Sequence, residues 1–288
     1  MSLARPSGSA APPVRAADSS WFDRALAARR PLVMGILNVT PDSFSDGGRF
    51  DAPDSAHTRA RAIQAEGADI LDIGAESTRP YGDATPVSAE AEWARLAPVL
   101  PAAVGLGIPV SVDTMKAEVA ARALEAGAAM LNDVWGLQRD PDMASVAAEH
   151  GVPVVVMHNR EAVDPDIDIV ADIERFFDRS LEIAARAGIW RERIVLDPGI
   201  GFGKTPAQSL IAIARLAEFS VFGRPVLIGL SRKRFIDAVS PAAVERRLGG
   251  SLAANLAAVS AGARIVRVHD VFETVQALRV AAALEGVR

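Results

Sequence analysis

The sequence predicts a single-domain α/β protein that folds as a (β/α)8 TIM barrel. Its 288 residues are close to the ~250 typical of that fold. Eight short apolar runs alternate with Ala-, Leu- and Arg-rich segments of helical period, and polar residues follow the runs. Helical crossovers between parallel strands explain the alternation, and eight strands close a barrel. A doubly wound open sheet is the alternative.

The runs predicted as strands are nearly continuously hydrophobic, as expected for strands that are buried on both faces. In chain order they are LVMGIL (32–37), DILDIG (69–74), IPVSV (108–112), AAML (128–131), VPVVVM (152–157), RIVL (193–196), PVLIG (225–229) and RIVRV (264–268).

The intervening segments are rich in good helix formers. Those that predict helices most clearly are EAEWARLAPVL (90–100), AEVAARALEAG (117–127) and FFDRSLEIAARAG (176–188). Gly-Ala pairs predict helix C-caps just before the following strands. They lie at 67–68, 127–128 and 262–263.

Composition argues against several classes of protein. The net charge of −5 lacks the basic footprint of a nucleic-acid binder. The absence of cysteine excludes disulfides and thiolate chemistry, and it suits a reducing, cytoplasmic location. No apolar run has the ~18 residues that a membrane span needs.

Residues 1–20 predict a disordered tail before a catalytic domain at 21–288, with an organellar transit peptide as the alternative.

Polar side chains follow the predicted strands at the carboxyl ends, where such barrels carry their active sites. Asp113 follows the third run, Asn132 the fourth and Asp197 the sixth, while Lys233 lies just past the seventh. Carboxylates, amides and cations on one rim predict a site for a polar heterocycle plus an anion. A carboxylate can accept paired N–H bonds from an amino-pyrimidinone edge, such as that of a pterin.

These residues also have structural interpretations. Asp113 could N-cap a helix that begins near Met115. Asp197 precedes Pro198, which is a common turn signal. Asn132 could cap a helix or stabilise a turn.

Arg267 and His269 lie at the end of the last run, where such barrels frequently bind phosphate, and the planar donor fork of Arg suits that ligand. The alternatives are an ion pair with a loop acid for Arg267 and a solvated surface charge for Lys233. His150 and His158 have no acidic or histidine neighbour at metal-ligand spacing. They are therefore predicted to be structural or solvated.

The segment PGIGFGKT is similar to a phosphate-binding P-loop. However, only three residues separate Gly199 from Gly203, whereas that loop needs four. Its glycines instead predict a flexible loop that allows a ligand to approach closely beside Phe202.

Nine segments in this order resemble the dihydropteroate synthase family. They are MGILNVTPDSFSDGG (34–48), ESTRP (76–80), SVDT (111–114), LNDV (131–134), VVVMH (154–158), LDPGIGFGKT (196–205), GLSRKRF (229–235), LGGSLAA (248–254) and VRVHDV (266–271). The resemblance implies a transferase of folate biosynthesis that joins a pterin diphosphate to p-aminobenzoate. It also implies a (β/α)8 barrel, a homodimer and sensitivity to sulfonamides.

The resemblance also implies roles for individual residues. The pterin ring is expected to contact Asp113, Asn132, Asp197 and Lys233, with Met157 and Phe202 lining the pocket. The diphosphate site is expected to comprise Asn38, Arg267 and His269, with Asn38 beside a Mg²⁺. The p-aminobenzoate side is expected to comprise Phe44, Thr78, Arg79, Pro80 and Ser231. The residues expected to act in catalysis are Asp113, Asp197, Lys233 and Arg267.

One departure from the family pattern is Tyr81, which stands between Pro80 and Gly82. We expect it near the p-aminobenzoate entrance, where it would alter sulfonamide sensitivity. A solvent-facing insertion is the alternative.

Two other functions compete with the synthase. A pterin-dependent methyltransferase would share the two acids and the amide, but it would not need Lys233 together with Arg267 and His269. A non-catalytic pterin-binding protein would be expected to lose some charged rim residues, and here all of them are present.

Overall fold

Eight parallel strands form one sheet in the computed structural model, which describes residues 20–28, 30–40, 52–76 and 87–287. The strands are β1 (Leu32–Asn38), β2 (Ile70–Gly74), β3 (Val110–Asp113), β4 (Met130–Asp133), β5 (Val154–Met157), β6 (Ile194–Asp197), β7 (Leu227–Ile228) and β8 (Ile265–Val268). Every boundary lies within two residues of the predicted run.

The sheet closes on itself. Its spatial order is β6-β5-β4-β3-β2-β1-β8-β7. The two ends of that order meet where Leu196 forms a parallel bridge with Val226 and donates its N–H to the Pro225 carbonyl at 3.0 Å. The predicted (β/α)8 barrel is therefore confirmed, and the open doubly wound sheet is wrong.

Helices surround the barrel and connect its strands. Those of the described ranges are α1 (Ser20–Ala27), α2 (Ala52–Ala65), α3 (Ala89–Leu96), α4 (Leu100–Val104), α5 (Ala117–Glu125), α6 (Met143–His150), α7 (Ile169–Ala187), α8 (Pro206–Ala214), α9 (Arg234–Val239), α10 (Leu248–Ser260) and α11 (Val271–Glu285). In this part of the chain, no helix has both the length and the apolar character that a membrane crossing requires.

Two of the predicted helices differ from the structure in extent. The prediction of one helix over 90–100 is wrong, since α3 ends at Leu96 and α4 begins at Leu100. Pro98 lies between them and lacks the N–H that a continuous helix would need. Helix α7 begins well before the predicted residue 176, because the Asp168 carboxylate accepts the Val170 and Ala171 N–H groups as an N-cap.

The predicted Gly-Ala caps are confirmed. Gly67, Gly127 and Gly262 have φ angles of 99°, 103° and 105°, in the left-handed region that glycine adopts most readily. The following alanine then donates back into the helix, as from Ala68 N to Ile63 O at 3.2 Å. This geometry ends each helix and turns the chain into the next strand.

Helix α1 packs beneath the barrel and was not predicted from the sequence. Phe22 is fully buried against the amino-terminal interior of the barrel. Asp23 accepts both Arg193 guanidinium bonds, at 2.9 and 2.8 Å. Residues 1–19 of the expected tail lie outside the described residues, and Ser20 already belongs to α1.

Candidate active site

The alternation of side chains along the strands determines which residues face the barrel interior. On β3, Val110 and Val112 pack in the outer core under the helices, so Ser111 and Asp113 face inward. The same alternation places a polar layer above the apolar interior cluster that contains Phe22. The inward residues near the carboxyl ends are Asp72, Ser111, Asp113, Asn132, Met157, Asp197 and Arg267.

Arg267 links two buried acids at the centre of this layer. Its Nε donates to Asp72 Oδ2 at 2.7 Å, and its Nη2 donates to Asp113 Oδ2 at 2.7 Å. Asn132 Nδ2 also donates to Asp72 Oδ2, at 3.2 Å. The partners of Arg267 are thus strand acids, so the alternative of an ion pair with a loop acid is wrong.

The structural interpretations of Asp113 and Asn132 are not realised. The N-cap of α5 is Lys116, which makes no side-chain capping bond, while Asp113 pairs with Arg267. The Asn132 amide reaches into the barrel to Asp72 and caps no helix. Both side chains are therefore available to a ligand at the carboxyl end.

Several buried acceptors in this layer have no hydrogen-bond partner among the described residues. They are Asp72 Oδ1, Asp113 Oδ1 and Ser111 Oγ. Leaving a buried polar atom unpaired costs about 1–3 kcal/mol, and such atoms are rare in folded proteins. This arrangement favours a ligand whose edge is rich in N–H donors.

Burial shifts the protonation equilibria of the site toward neutral pH. It raises the pKa of Asp113 to about 7, with Arg267 opposing and Asp72 reinforcing the shift. Burial also raises the pKa of Asp197, against the effect of Lys233. Conversely, burial lowers the pKa of Lys233 to about 8, while the charge of Asp197 opposes that change. Shifts of this kind are common at functional sites.

The loop after β6 joins Asp197 to Lys233. Asp197 Oδ1 accepts the Gly199 N–H at 2.7 Å, so its predicted turn role is realised alongside its inward position. Lys233 Nζ donates to the Ile200 carbonyl and lies 4.9 Å from the Phe202 ring centroid. Lys233 therefore faces the site, and the alternative of a solvated surface charge is wrong.

The remaining predicted residues occupy the rim. His269 Nδ1 lies 3.0 Å from Ser231 Oγ, and its carbonyl accepts an N–H from Arg59 at 3.0 Å. Asn38 ends β1 and is half-buried, while Met157 ends β5 and is buried. Phe44, Thr78, Arg79, Pro80 and Tyr81 lie outside the described residues.

Asp72 is a site residue that was not predicted from the sequence. The available signal was its charge within the apolar run DILDIG, at the same two-residue spacing as inward-facing Ile70. His158 is structural, as predicted: it is buried, packs edge-on against Phe176, and its Nε2 lies 3.1 Å from Asp172 Oδ2.

Nothing in the described part of the chain groups three or more His, Asp or Glu side chains as a metal site. Asn38 offers one carboxamide oxygen at the end of β1. Mg²⁺ commonly takes few protein ligands and fills its octahedron with waters and substrate phosphates. A single Asn ligand therefore fits a Mg²⁺ that is shared with a bound diphosphate.

The chain is similar to known proteins over most of its length. The family model for pterin binding enzymes matches residues 34–269. The dihydropteroate synthase of Bacillus subtilis is 49% identical over 243 residues, which is 84% of each chain.

Solved structures are similar over the whole barrel. The Xanthomonas albilineans dihydropteroate synthase with 4-aminobenzoic acid is 45% identical, with a TM-score of 0.86 over 90% of this chain and 94% of that one. The same enzyme in complex with 7,8-dihydropteroate gives 44% identity and a TM-score of 0.83, over 90% and 95% of the chains. The match therefore covers the strands that carry the polar layer.

Proposed function

Because this chain belongs to the dihydropteroate synthase family of pterin-binding enzymes, we propose that it condenses 7,8-dihydropterin-6-ylmethyl diphosphate with p-aminobenzoate. The products are 7,8-dihydropteroate and diphosphate. The observation that carries the proposal is a pair of carboxylate oxygens, on Asp72 and Asp113, that have no hydrogen-bond partner among the described residues and are buried beside Asn132. A pterin edge supplies the N–H donors that these oxygens lack.

The pterin ring fits the polar layer with its amino-pyrimidinone edge toward the acids. N–H donation to a carboxylate stabilises the anion, so binding would return Asp113 from its raised pKa to the charged state. Asn132 can pair with the adjacent donor and acceptor of the ring. Phe202 and Met157 supply apolar surface for its faces.

The chemistry requires separation of charge and no protein nucleophile. The bond between the pterin methylene and the diphosphate oxygen breaks, and its electron pair leaves with the diphosphate. The positive charge on the methylene spreads into the ring, where anionic Asp113 and Asp197 stabilise it electrostatically. The p-aminobenzoate nitrogen then donates its lone pair to the methylene carbon and loses a proton to solvent. Binding both substrates in one barrel supplies the positioning.

Diphosphate is expected at the rim formed by Asn38, Arg267 and His269. The Arg267 side chain keeps 21% of its surface exposed even while it pairs with the two acids. Planar N–H donors suit phosphate oxygens. When bound, Mg²⁺ held by Asn38 and the diphosphate oxygens would neutralise charge on the leaving group.

The p-aminobenzoate side is proposed to involve Ser231 with Phe44, Thr78, Arg79 and Pro80. Ser231 is buried beside His269, next to the rim. Sulfonamides carry the same aminophenyl group as p-aminobenzoate, so we expect them to inhibit competitively at this side. Tyr81 would then tune that sensitivity, and equal inhibition constants in wild type and a Tyr81 deletion would argue against its role.

A homodimer is also proposed. Helix α11 exposes the large apolar side chains of Phe272, Val280 and Leu284, each more than half accessible in the single chain. Such a surface favours burial against a second copy. Light scattering would report twice the monomer mass, and Leu284→Glu would shift it toward the monomer.

We place the enzyme in the cytoplasm, because a multiply charged pterin diphosphate does not cross a bilayer unaided.

The test of the reaction is direct. The purified protein is incubated with the pterin diphosphate, p-aminobenzoate and Mg²⁺, and the products are followed by mass spectrometry. The proposal predicts equimolar 7,8-dihydropteroate and diphosphate. Tight pterin binding without product would favour a methyltransferase or a binding protein instead.

A further inference from the structure

Lys204 is a fully buried lysine that the proposed reaction does not use. Its side chain belongs to the loop after β6, and the residue is only 1% exposed. Burial lowers the pKa of Lys204 well below its ordinary value, while the charge of Asp197 opposes that change. Three acceptors lie within hydrogen-bond distance of its Nζ. They are the Gly199 carbonyl at 2.9 Å, the Phe202 carbonyl at 3.1 Å and His158 Nδ1 at 2.6 Å. Lys204 thus lies at the centre of the loop formed by residues 199–203.

The loop lies so close to the neighbouring backbone that side chains would not fit at two of its glycines. Gly199 and Gly203 have φ angles of 63° and 55°. A Cβ at Gly199 would lie 1.9 Å from the His158 carbonyl oxygen, and one at Gly203 would lie 2.4 Å from Arg160 Cβ. The loop therefore packs tightly against residues 158–160, and Lys204 bonds to its carbonyls from within.

His158 connects Lys204 to helix α7 through hydrogen bonds. Burial lowers the pKa of His158 to about 3, with the charge of Lys204 adding to the shift, so the imidazole is neutral. A neutral ring that accepts from Lys204 at Nδ1 donates from Nε2 to Asp172 Oδ2 at 3.1 Å. Arg160 Nη1 donates to the same Asp172 oxygen at 2.6 Å. The lysine is thus held at a defined position by a continuous donor–acceptor chain.

The same loop orients two residues of the proposed pterin pocket. The Gly199 N–H donates to Asp197, and the Ile200 carbonyl accepts from Lys233. Lys204 bonds to the Gly199 carbonyl, one peptide unit before the Ile200 carbonyl. A shift of this segment would therefore move the hydrogen-bond partners of Asp197 and Lys233 together.

We infer that Lys204 is a positioning residue for pterin diphosphate, acting through the loop that orients Asp197 and Lys233. The inference rests on the proposed function. It predicts a selective effect, because the proposed p-aminobenzoate residues belong to other segments of the chain.

The test uses Lys204→Met, which keeps the length of the side chain and removes its donors. Calorimetry with pterin diphosphate and Mg²⁺, in the absence of p-aminobenzoate, gives the Kd. We expect it to rise about tenfold or more, because the buried acceptors around Nζ would lose their donor. The KM for p-aminobenzoate is expected to stay within about twofold of wild type.

Two further variants separate positioning from general destabilisation. Arg193→Met removes another buried cation, but one at the base of the barrel beside Asp23, so it should lower stability and leave both constants unchanged. Asp172→Asn weakens the outer end of the chain and should raise the pterin Kd by about threefold, less than Lys204→Met.

A folded Lys204→Met protein whose pterin Kd is within about twofold of wild type would overturn the inference, as would an equal rise in both constants. If Lys204→Met does not fold, the same two constants are measured for Asp172→Asn. An unchanged pterin Kd, or an equal rise in the pterin Kd and the p-aminobenzoate KM, would then overturn the inference. Since the Kd is measured without turnover, a wild type that binds the pterin but forms no product would contradict the proposed function alone.

Discussion

Asp72 shows how one buried side chain organises the site. It lies within an apolar strand, is fully buried, and accepts hydrogen bonds from both Arg267 and Asn132 on the same oxygen. Its other oxygen has no partner among the described residues. Asp72 therefore fixes the guanidinium of Arg267 and also presents an acceptor to a ligand.

Asp72→Asn tests this role. Removing one partner of a buried ion pair is expected to cost about 3–5 kcal/mol of stability, and kcat/KM for the pterin diphosphate should fall at least about tenfold. Asp69→Asn is the matched control, because Asp69 precedes the same strand but pairs with the largely exposed Arg30. Chemical denaturation and steady-state kinetics measure both effects. Wild-type values for Asp72→Asn would show that this contact is dispensable.

The pH profile is a second prediction at the residue scale. Asp113 must be anionic to accept the pterin N–H groups, so kcat/KM should rise as pH increases through about 7. Lys233 must remain charged, so kcat/KM should fall as pH increases through about 8. Lys233→Arg keeps its charge far above that pH, and the alkaline limb should move upward even if the maximum is lower. An unmoved alkaline limb would assign it to another group.

Site residues on strands are more predictable from sequence than their contacts. Asp113, Asn132 and Asp197 stand out because polar residues end apolar runs. The pairing of Arg267 with Asp72 joins β8 to β2, which are separated by 195 residues along the chain. Local pattern carries no information about such a contact, although the charge of Asp72 within an apolar run does mark the residue itself.

At the scale of elements, α1 closes the end of the barrel opposite the site. Phe22 fills the amino-terminal interior, and the Arg264 guanidinium donates to the Leu26 carbonyl at 2.8 Å. The alternation that places polar residues at the carboxyl ends thus leaves an apolar base that α1 covers. Stability and chemistry are assigned to opposite ends of the same strands, as is usual for this fold.

Phe22→Ala tests that division. Deleting a fully buried phenyl ring should lower the free energy of unfolding by about 3–5 kcal/mol, while kcat stays unchanged because the ring lies beneath the apolar layer. Val221→Ala, at a side chain that is 77% exposed, is the control and should change stability by less than about 0.5 kcal/mol. A large loss of kcat in folded Phe22→Ala would mean that the base of the barrel influences the chemistry.

The strands could be predicted well because each is a short apolar run between polar turns, and the Gly-Ala caps fix where the helices end. Helix α1 could not be predicted in the same way, because its role depends on the shape of the barrel opening that it fills. Pro98 indicates the break between α3 and α4, but the helix formers on both sides of it led to the prediction of one continuous helix.

At the scale of the molecule, closure of the sheet turns eight separate strand ends into one site. Leu196 and Val226 join the last open edge, and this brings the segment after β6 beside the segment after β7. Asp197 and Lys233 face the same pocket as a result, and both bond to the intervening loop, Asp197 to the Gly199 N–H and Lys233 to the Ile200 carbonyl. In an open sheet, β6 and β7 would be its two edges, and these residues would not meet.

We propose that this polar layer carries out the condensation. The most direct measurement is kcat/KM for dihydropteroate formation by Lys233→Ala and Asp197→Ala, with Arg186→Ala on the exposed surface of α7 as the control. We expect a loss of about 100-fold or more in both site variants and wild-type activity in the control. Near-normal kcat/KM in both folded site variants would contradict it.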